Sequence, residues 1–181
     1  MKKIIIPPPI LKPFADNRDW MLVQDLEYTI GNTGVSIKIP KGFVTDFASI
    51  PQVLWSFGLS PHGRYSKAAI VHDYLYWAQC CTRKQADNIL LIAMKESSVG
   101  PIMETEIYKG VRIGGKSSWK ANKEARKKNI PRVIPDTYQD FPADVTWKEY
   151  RRLLISNSVM DPEFDSGESY CKYGDSGNVP R

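Results

Sequence analysis

The run His72-Asp73-Tyr74-Leu75-Tyr76 and the later Asp87 are the residues of this chain whose types and spacing suit chemistry. On a helix His72 and Tyr76 stand at i and i+4 and share a face, while Asp73 points about 100° away. One helix then offers a base and a carboxylate in two directions. Asp87 belongs to a second helical stripe, with Leu90, Leu91 and Met94 at i+3, i+4 and i+7, so a carboxylate sits on the side that faces the core. A carboxylate in such a place requires a partner. Thr82-Arg83-Lys84-Gln85 has the form of a capping box that starts this second helix, and only Cys80, Cys81 and their neighbours separate it from the first. The chain is expected to turn back antiparallel and to join Asp87, His72 and Tyr76 in one hydrogen-bonded cluster.

A His-Asp pair of this kind serves general-base chemistry in active sites and plain hydrogen bonding in inert cores. In the inert case both nitrogens of His72 are satisfied, one by Asp87 and one by a backbone group. Asp46 is either a metal ligand or an Asx-type turn residue ahead of Ser49. Ser49 suits a helix cap better than a nucleophile activated by His72. His62, His72, Cys80 and Cys81 lack the spacing of a zinc site. Arg64 and Arg112 are candidates to pair with Asp46, Asp73 or Asp87, which would make the cluster a buried network.

These residues need a frame, and 181 residues with 42% hydrophobic and 25% charged are enough to bury a core. One domain with appendages is expected. Net charge is +5 and unevenly spread: Lys109, Arg112, Lys116, Lys120, Lys123, Arg126, Lys127, Lys128 and Arg132 share their stretch with the single acid Glu124. That stretch, residues 109–132, is either a surface for an anionic partner or a solvated helix face and linker. Three cysteines, two of them adjacent, do not make a disulfide framework, so thiols in a reducing compartment are expected. The apolar run Ile4-Ile5-Ile6 is broken by Pro7-Pro8-Pro9, so neither a signal peptide nor a transmembrane helix is expected.

Pro7 to Pro13 should be extended. Trp20 to Ile30 and Val35 to Ile39, joined by Gly31-Asn32-Thr33-Gly34, predict a β-hairpin, and Phe43 to Phe47 a further short strand. Ser49-Ile50-Pro51-Gln52 opens a short helix carrying Val53, Leu54 and Trp55 inward, and Gly58 to Gly63 form a loop. Helices are predicted over about 66–78 and 82–97, with a third starting after Pro101 and stopped or kinked at Gly114-Gly115. Thr146-Trp147-Lys148-Glu149 opens another helix to about Ser156. The fold class is α+β, a small antiparallel sheet on a three-helix core with an extended C-terminal arm. The divisions are a proline-rich start (1–19), a core domain with the His-Asp helix pair (20–115), and a basic linker, short helix and tail (116–181). From Met160 onward the composition would be flexible alone, and in a structural protein the proline-rich start and the segment from Gly115 onward are expected to leave the compact domain and bury apolar groups such as Trp119, Trp147, Leu153, Leu154 and Tyr170 against another chain.

Gly42-Phe43-Val44-Thr45-Asp46-Phe47-Ala48-Ser49-Ile50-Pro51, then Gly63-Arg64-Tyr65, Ala69 to Tyr76, and Arg83 with Ala86-Asp87 resemble a family of small uncharacterised proteins of bacteriophages, prophages and bacteria. The likeness covers roughly residues 35 to 115 and implies a phage or prophage origin without bringing a function. A second resemblance is to the calcium-dependent secreted and parvoviral phospholipases, which carry a His-Asp-x-x-Tyr helix packed on a helix bearing an aspartate. That likeness implies that His72 deprotonates the attacking water, Asp87 holds its other nitrogen, Tyr76 braces Asp87, and Asp73 binds Ca2+. The chain lacks the glycine-rich calcium loop of those enzymes and the disulfides of the secreted ones. Gly42 to Asp46 would have to supply the carbonyls and second carboxylate, which makes Asp46 the other metal candidate.

Two functions follow. One is a phage-encoded ester hydrolase, most plausibly of a phospholipid, using His72, Asp87, Tyr76 and a calcium at Asp73. The other is a non-enzymatic virion or tail-associated protein in which those residues form a structural network and the C-terminal arm contacts other virion proteins. Either would be made in the host cytoplasm, with incorporation into a phage particle in the second case.

Overall fold

The structure is a computed structural model that describes residues 8–47 and 65–180. Strands β1 (Leu11–Pro13), β2 (Trp20–Leu22), β3 (Leu26–Thr29), β4 (Ser36–Ile39) and β5 (Val44–Thr45) precede helices α1 (Ser66–Ala78), α2 (Arg83–Glu96), α3 (Pro101–Lys127) and α4 (Trp147–Ser156). Short 3-10 turns lie at Asp136–Tyr138 and Cys171–Asp175. The strands form two antiparallel sheets, β1-β2-β5 and β3-β4, so the α+β class holds. The helix start expected at Ser49, its inward residues Val53, Leu54 and Trp55, and His62 and Arg64 lie outside the described residues.

The β3-β4 hairpin alternates as a half-buried pair must: Leu26, Tyr28, Ile37 and Ile39 face in, Glu27 and Lys38 face out. Its expected long first strand is in fact two. Asp25 turns its carboxylate onto the amide of Lys41 (2.8 Å), and the chain bends there, so β2 pairs with β1 and β5 while β3 pairs with β4. Pro13 closes β1 at the sheet edge, where a missing N–H does no harm.

Every residue of α1 except Lys67 is buried, and the helix packs against α2, α3, β4 and β5. A helix apolar nearly all round belongs at the centre. The Thr82/Gln85 capping box starts α2 as the sequence requires, and Thr146/Glu149 does the same for α4. The expected break at Gly114-Gly115 does not occur; α3 runs unbroken to Lys127 and absorbs residues 116–127, read from sequence as linker. Gly115 serves close approach instead. A Cβ there would lie 2.4 Å from the Tyr76 hydroxyl, whereas one at Gly114 would meet nothing within 4 Å. Beyond that point Trp119 packs edge-on to Tyr76 with ring centroids 5.0 Å apart.

The C-terminal segment is not an extended arm. Trp147, Tyr150 and Leu154 join Phe14, Met21, Val44, Ile134 and Phe141 in a second small core, which also ties in the proline-rich start. Tyr170 is buried in the main core. Asn88 and Lys95 donate to the carbonyls of Gly174 (2.7 Å) and Gly177 (2.6 Å), fastening the tail along α2. Cys81 and Cys171, 90 residues apart, form a disulfide, which corrects the expectation of free thiols; Cys80 beside them is free. This polar segment is thus fastened by contacts within its own domain. Adjacent cysteines gave no hint of it because the partner sits at the far end of the chain.

Two consequences can be measured. Gly115→Ala is expected to cost about 1–3 kcal/mol by forcing α3 off Tyr76, while Gly114→Ala should gain roughly 0.5–1 kcal/mol from helix propensity alone; urea melts of the two variants should move in opposite directions. Cys171→Ser is expected to lower stability by about 2–4 kcal/mol, because an unfolded chain freed of a long covalent loop gains entropy; an unchanged melt would deny the tail its fastening role.

Candidate active site

The α1–α2 turn does what the apolar stripe of α2 demands. Asp87 is fully buried, and its Oδ1 accepts from His72 Nε2 (3.0 Å) and from the Tyr76 hydroxyl (2.6 Å). Its Oδ2 faces two guanidinium groups, Arg112 at 2.7 Å and Arg83 at 3.3 Å. The predicted cluster of His72, Tyr76 and Asp87 is therefore assembled, with two cations added. Arg83 stands four residues before Asp87, a spacing visible in sequence. Arg112 comes from α3, and Arg83 also donates to the carbonyls of Val111 and Arg112, binding α2 to α3. Burial acts to raise the Asp87 carboxyl's pKa, but the hydrogen bonds from His72, Tyr76 and Arg112 outweigh it, so the group stays below the ordinary carboxylate range. The Tyr76 phenol moves upward, through burial first and then its bond to Asp87.

An ionised carboxylate accepts only, so the ring proton of neutral His72 belongs on Nε2 and the lone pair on Nδ1. Nδ1 is buried and has no hydrogen-bond partner among the described residues. The imidazole lies against the Tyr76 ring, centroids 4.1 Å apart, which holds its plane. Another buried polar atom without a partner among the described residues is the Tyr65 hydroxyl at the start of α1, a residue sequence reasoning passed over as part of a motif. Burial, then the charges of Asp73 and Asp46, push the Tyr65 phenol upward, so it remains a neutral hydroxyl.

Asp73 points away from the cluster, as its position on the helix requires. Its Oδ2 accepts from the Thr45 hydroxyl (2.5 Å) and the Asp46 amide (3.2 Å), anchoring the end of β5 on α1. Asp46 Oδ1 meets the guanidinium of Arg132 at 3.2 Å, and Arg132 also donates to the Val44 carbonyl (2.8 Å). Calcium requires a cage of six to eight oxygens. Here hydroxyl and amide donors and a guanidinium approach these two carboxylates, where a cation needs acceptors. The described residues do not fit a calcium cage. Among the described residues, Cys80, Cys81 and Cys171 are the one group of three metal-ligating side chains that converge, and two of them are joined by the disulfide.

The sequence matches the protein family described as a protein of unknown function, DUF1353, over residues 20–111, just over half of the chain. The chain belongs to that family. No curated protein and no solved structure matches it. The matched region runs from β2 into α3 and contains His72, Asp73, Tyr76, Arg83 and Asp87, so the cluster falls inside the family region, while Arg112 lies one residue past its edge.

Removing the Asp87 charge tests the arrangement. Asp87→Asn leaves two arginines facing a neutral amide in a buried site and is expected to cost about 3–5 kcal/mol at neutral pH. A carboxyl with a depressed folded pKa contributes stability that is present above its unfolded value near 3.9 and is lost as pH falls through the folded value. The deficit of the variant should therefore shrink on acidification below about pH 4, as read from denaturant melts across a pH series. A deficit that persists undiminished to the acid limit would count against an ionised Asp87.

Proposed function

We propose that the chain is a hydrolase in which His72 acts as general base through Nδ1 on an ester, of a phospholipid by its likeness to the His-Asp phospholipases. In this scheme Nδ1 takes a proton from water, the oxygen attacks the ester carbonyl, and the proton passes to the departing alkoxide. Asp87 holds Nε2 and stabilises the imidazolium as it forms, and Tyr76 with the two arginines holds Asp87. One observation carries the reading: the buried Nδ1 of His72 has no partner among the described residues, while Nε2 is engaged by Asp87. A histidine kept only for structure normally has both nitrogens satisfied.

The second reading, a non-enzymatic phage virion or tail-associated protein, draws support from a different observation. Asp87 has no solvent exposure and four partners on three helices, which is what a structural network looks like. In this reading the protein is made in the host cytoplasm and carried in the particle.

Hydrolysis of mixed phospholipid vesicles and of a short-chain ester panel, with calcium and with a chelator, separates the two. The hydrolase reading expects release of fatty acid that His72→Gln lowers by roughly 10²–10⁴-fold while the thermal transition stays nearly in place. Activity that survives in chelator would fit a site that uses water and His72 alone. No activity on any ester, together with a large loss of stability in His72→Gln, would assign the cluster to structure.

A further inference from the structure

Helix α3 carries its charge in an ordered way. At 100° per residue, Ile102, Lys109, Ile113, Lys116, Lys120 and Lys127 fall within a sector about 60° wide, with Lys123 at its edge. All seven are exposed, and Ile102 and Ile113 are 82% and 83% accessible. Ile107 and Gly115 on the opposite side, with Arg112 and Trp119 on one flank, pack on the domain. Two acids lie near the outer sector, and each is answered: Glu106 pairs with Lys109 (3.3 Å) and Glu124 with Lys127 (3.0 Å). Lys116, Lys120 and Lys123 have no carboxylate in ion-pair range among the described residues. Beside this sector a groove of about 490 Å³ is lined by Gln79, Trp119, Lys123, Arg126 and Lys127.

We propose that the outer face of α3 docks on an anionic lipid surface, with the adjoining groove taking a phosphate headgroup. The lysines supply attraction that falls off within a Debye length, and the two bare isoleucines supply apolar side chains that enter the acyl boundary. Long lysine stems can lie along that boundary while their ammonium groups reach the headgroups. Nucleic acid fits less well: a phosphodiester backbone gains nothing from two exposed isoleucines, and Arg112 is turned inward to Asp87. The helix lies along the surface and does not cross the membrane, since no helix among the described residues is long and apolar enough to do so. Binding of this kind does not depend on the hydrolase reading, although it would place a lipid beside the His72 domain.

The test is sedimentation of the full chain with sucrose-loaded vesicles of phosphatidylcholine alone or mixed with phosphatidylglycerol, at low and high salt. Binding is expected only to the phosphatidylglycerol vesicles, weakened by salt and lowered at least ~10-fold in Lys116→Glu/Lys120→Glu/Lys123→Glu. Ile102→Ser/Ile113→Ser should reduce the part that resists salt. His72→Gln should bind as the parent does, so failure of hydrolysis and failure of docking are read separately. Equal binding to both vesicle types, no binding to either, or full binding by a triple variant with an unshifted thermal transition would overturn the proposal. Salt-sensitive binding to single- or double-stranded DNA without vesicle binding would give the face to nucleic acid and overturn it as well.

Discussion

A charge buried in the middle of three helices has to be compensated, and in this protein the compensation of Asp87 decides how the helices stand. His72 and Tyr76 come from α1, Arg83 from α2 and Arg112 from α3, and all four meet one carboxylate. Hydrogen bonds to an ionised group are the stronger kind, and breaking any of them leaves a charge or a donor in a dry interior. The cluster therefore works as a register pin. It fixes the rotation of α1 by way of two side chains one turn apart, and it fixes the height of α3 through Arg112.

That height creates a second demand. For Arg112 to reach Asp87, α3 must come close enough to α1 that Gly115 rests on the Tyr76 hydroxyl, where no Cβ has room. The same approach brings Trp119 edge-on to the Tyr76 ring and lets Gln79 donate to the Trp119 carbonyl (2.7 Å). With its inner side committed in this way, α3 leaves its lysines and two isoleucines in solvent. The chemistry of the core and the character of the outer surface are thus two faces of one helix placement.

About 100° round α1 from His72, Asp73 performs a parallel task with neutral donors, holding Thr45 and the Asp46 amide so that β5 is fastened to the central helix. Arg132, reaching back to Asp46 and Val44, brings the C-terminal half onto the same place. The sheet, the His-Asp helix and the second core are connected through these few polar contacts. Two carboxylates adjacent in thought, Asp73 and Asp87, end in opposite environments: one among hydroxyl and amide donors, the other among cations and an imidazole.

What could be read from the residues alone was local. The i, i+4 spacing of His72 and Tyr76, the intrusion of Asp87 into an apolar stripe, and the two capping boxes specified the helix starts and the meeting of His72, Tyr76 and Asp87, because each rests on the helical period and on contacts within a few residues. The hairpin residues Ile37 and Ile39 declared their inward face for the same reason. Tertiary structure decided the rest. Gly115 reads as a helix breaker until Tyr76 lies against it, and Cys81 reads as a thiol until Cys171 returns from 90 residues away. The tail reads as flexible until Asn88 and Lys95 hold its carbonyls. Whether Asp73 could hold a cation also waited on Thr45, and on Arg132 beside Asp46, groups that periodicity cannot bring together. Short-range period is written in the chain itself, whereas a buried polar atom's partner is chosen by whichever distant segment the packing delivers to it.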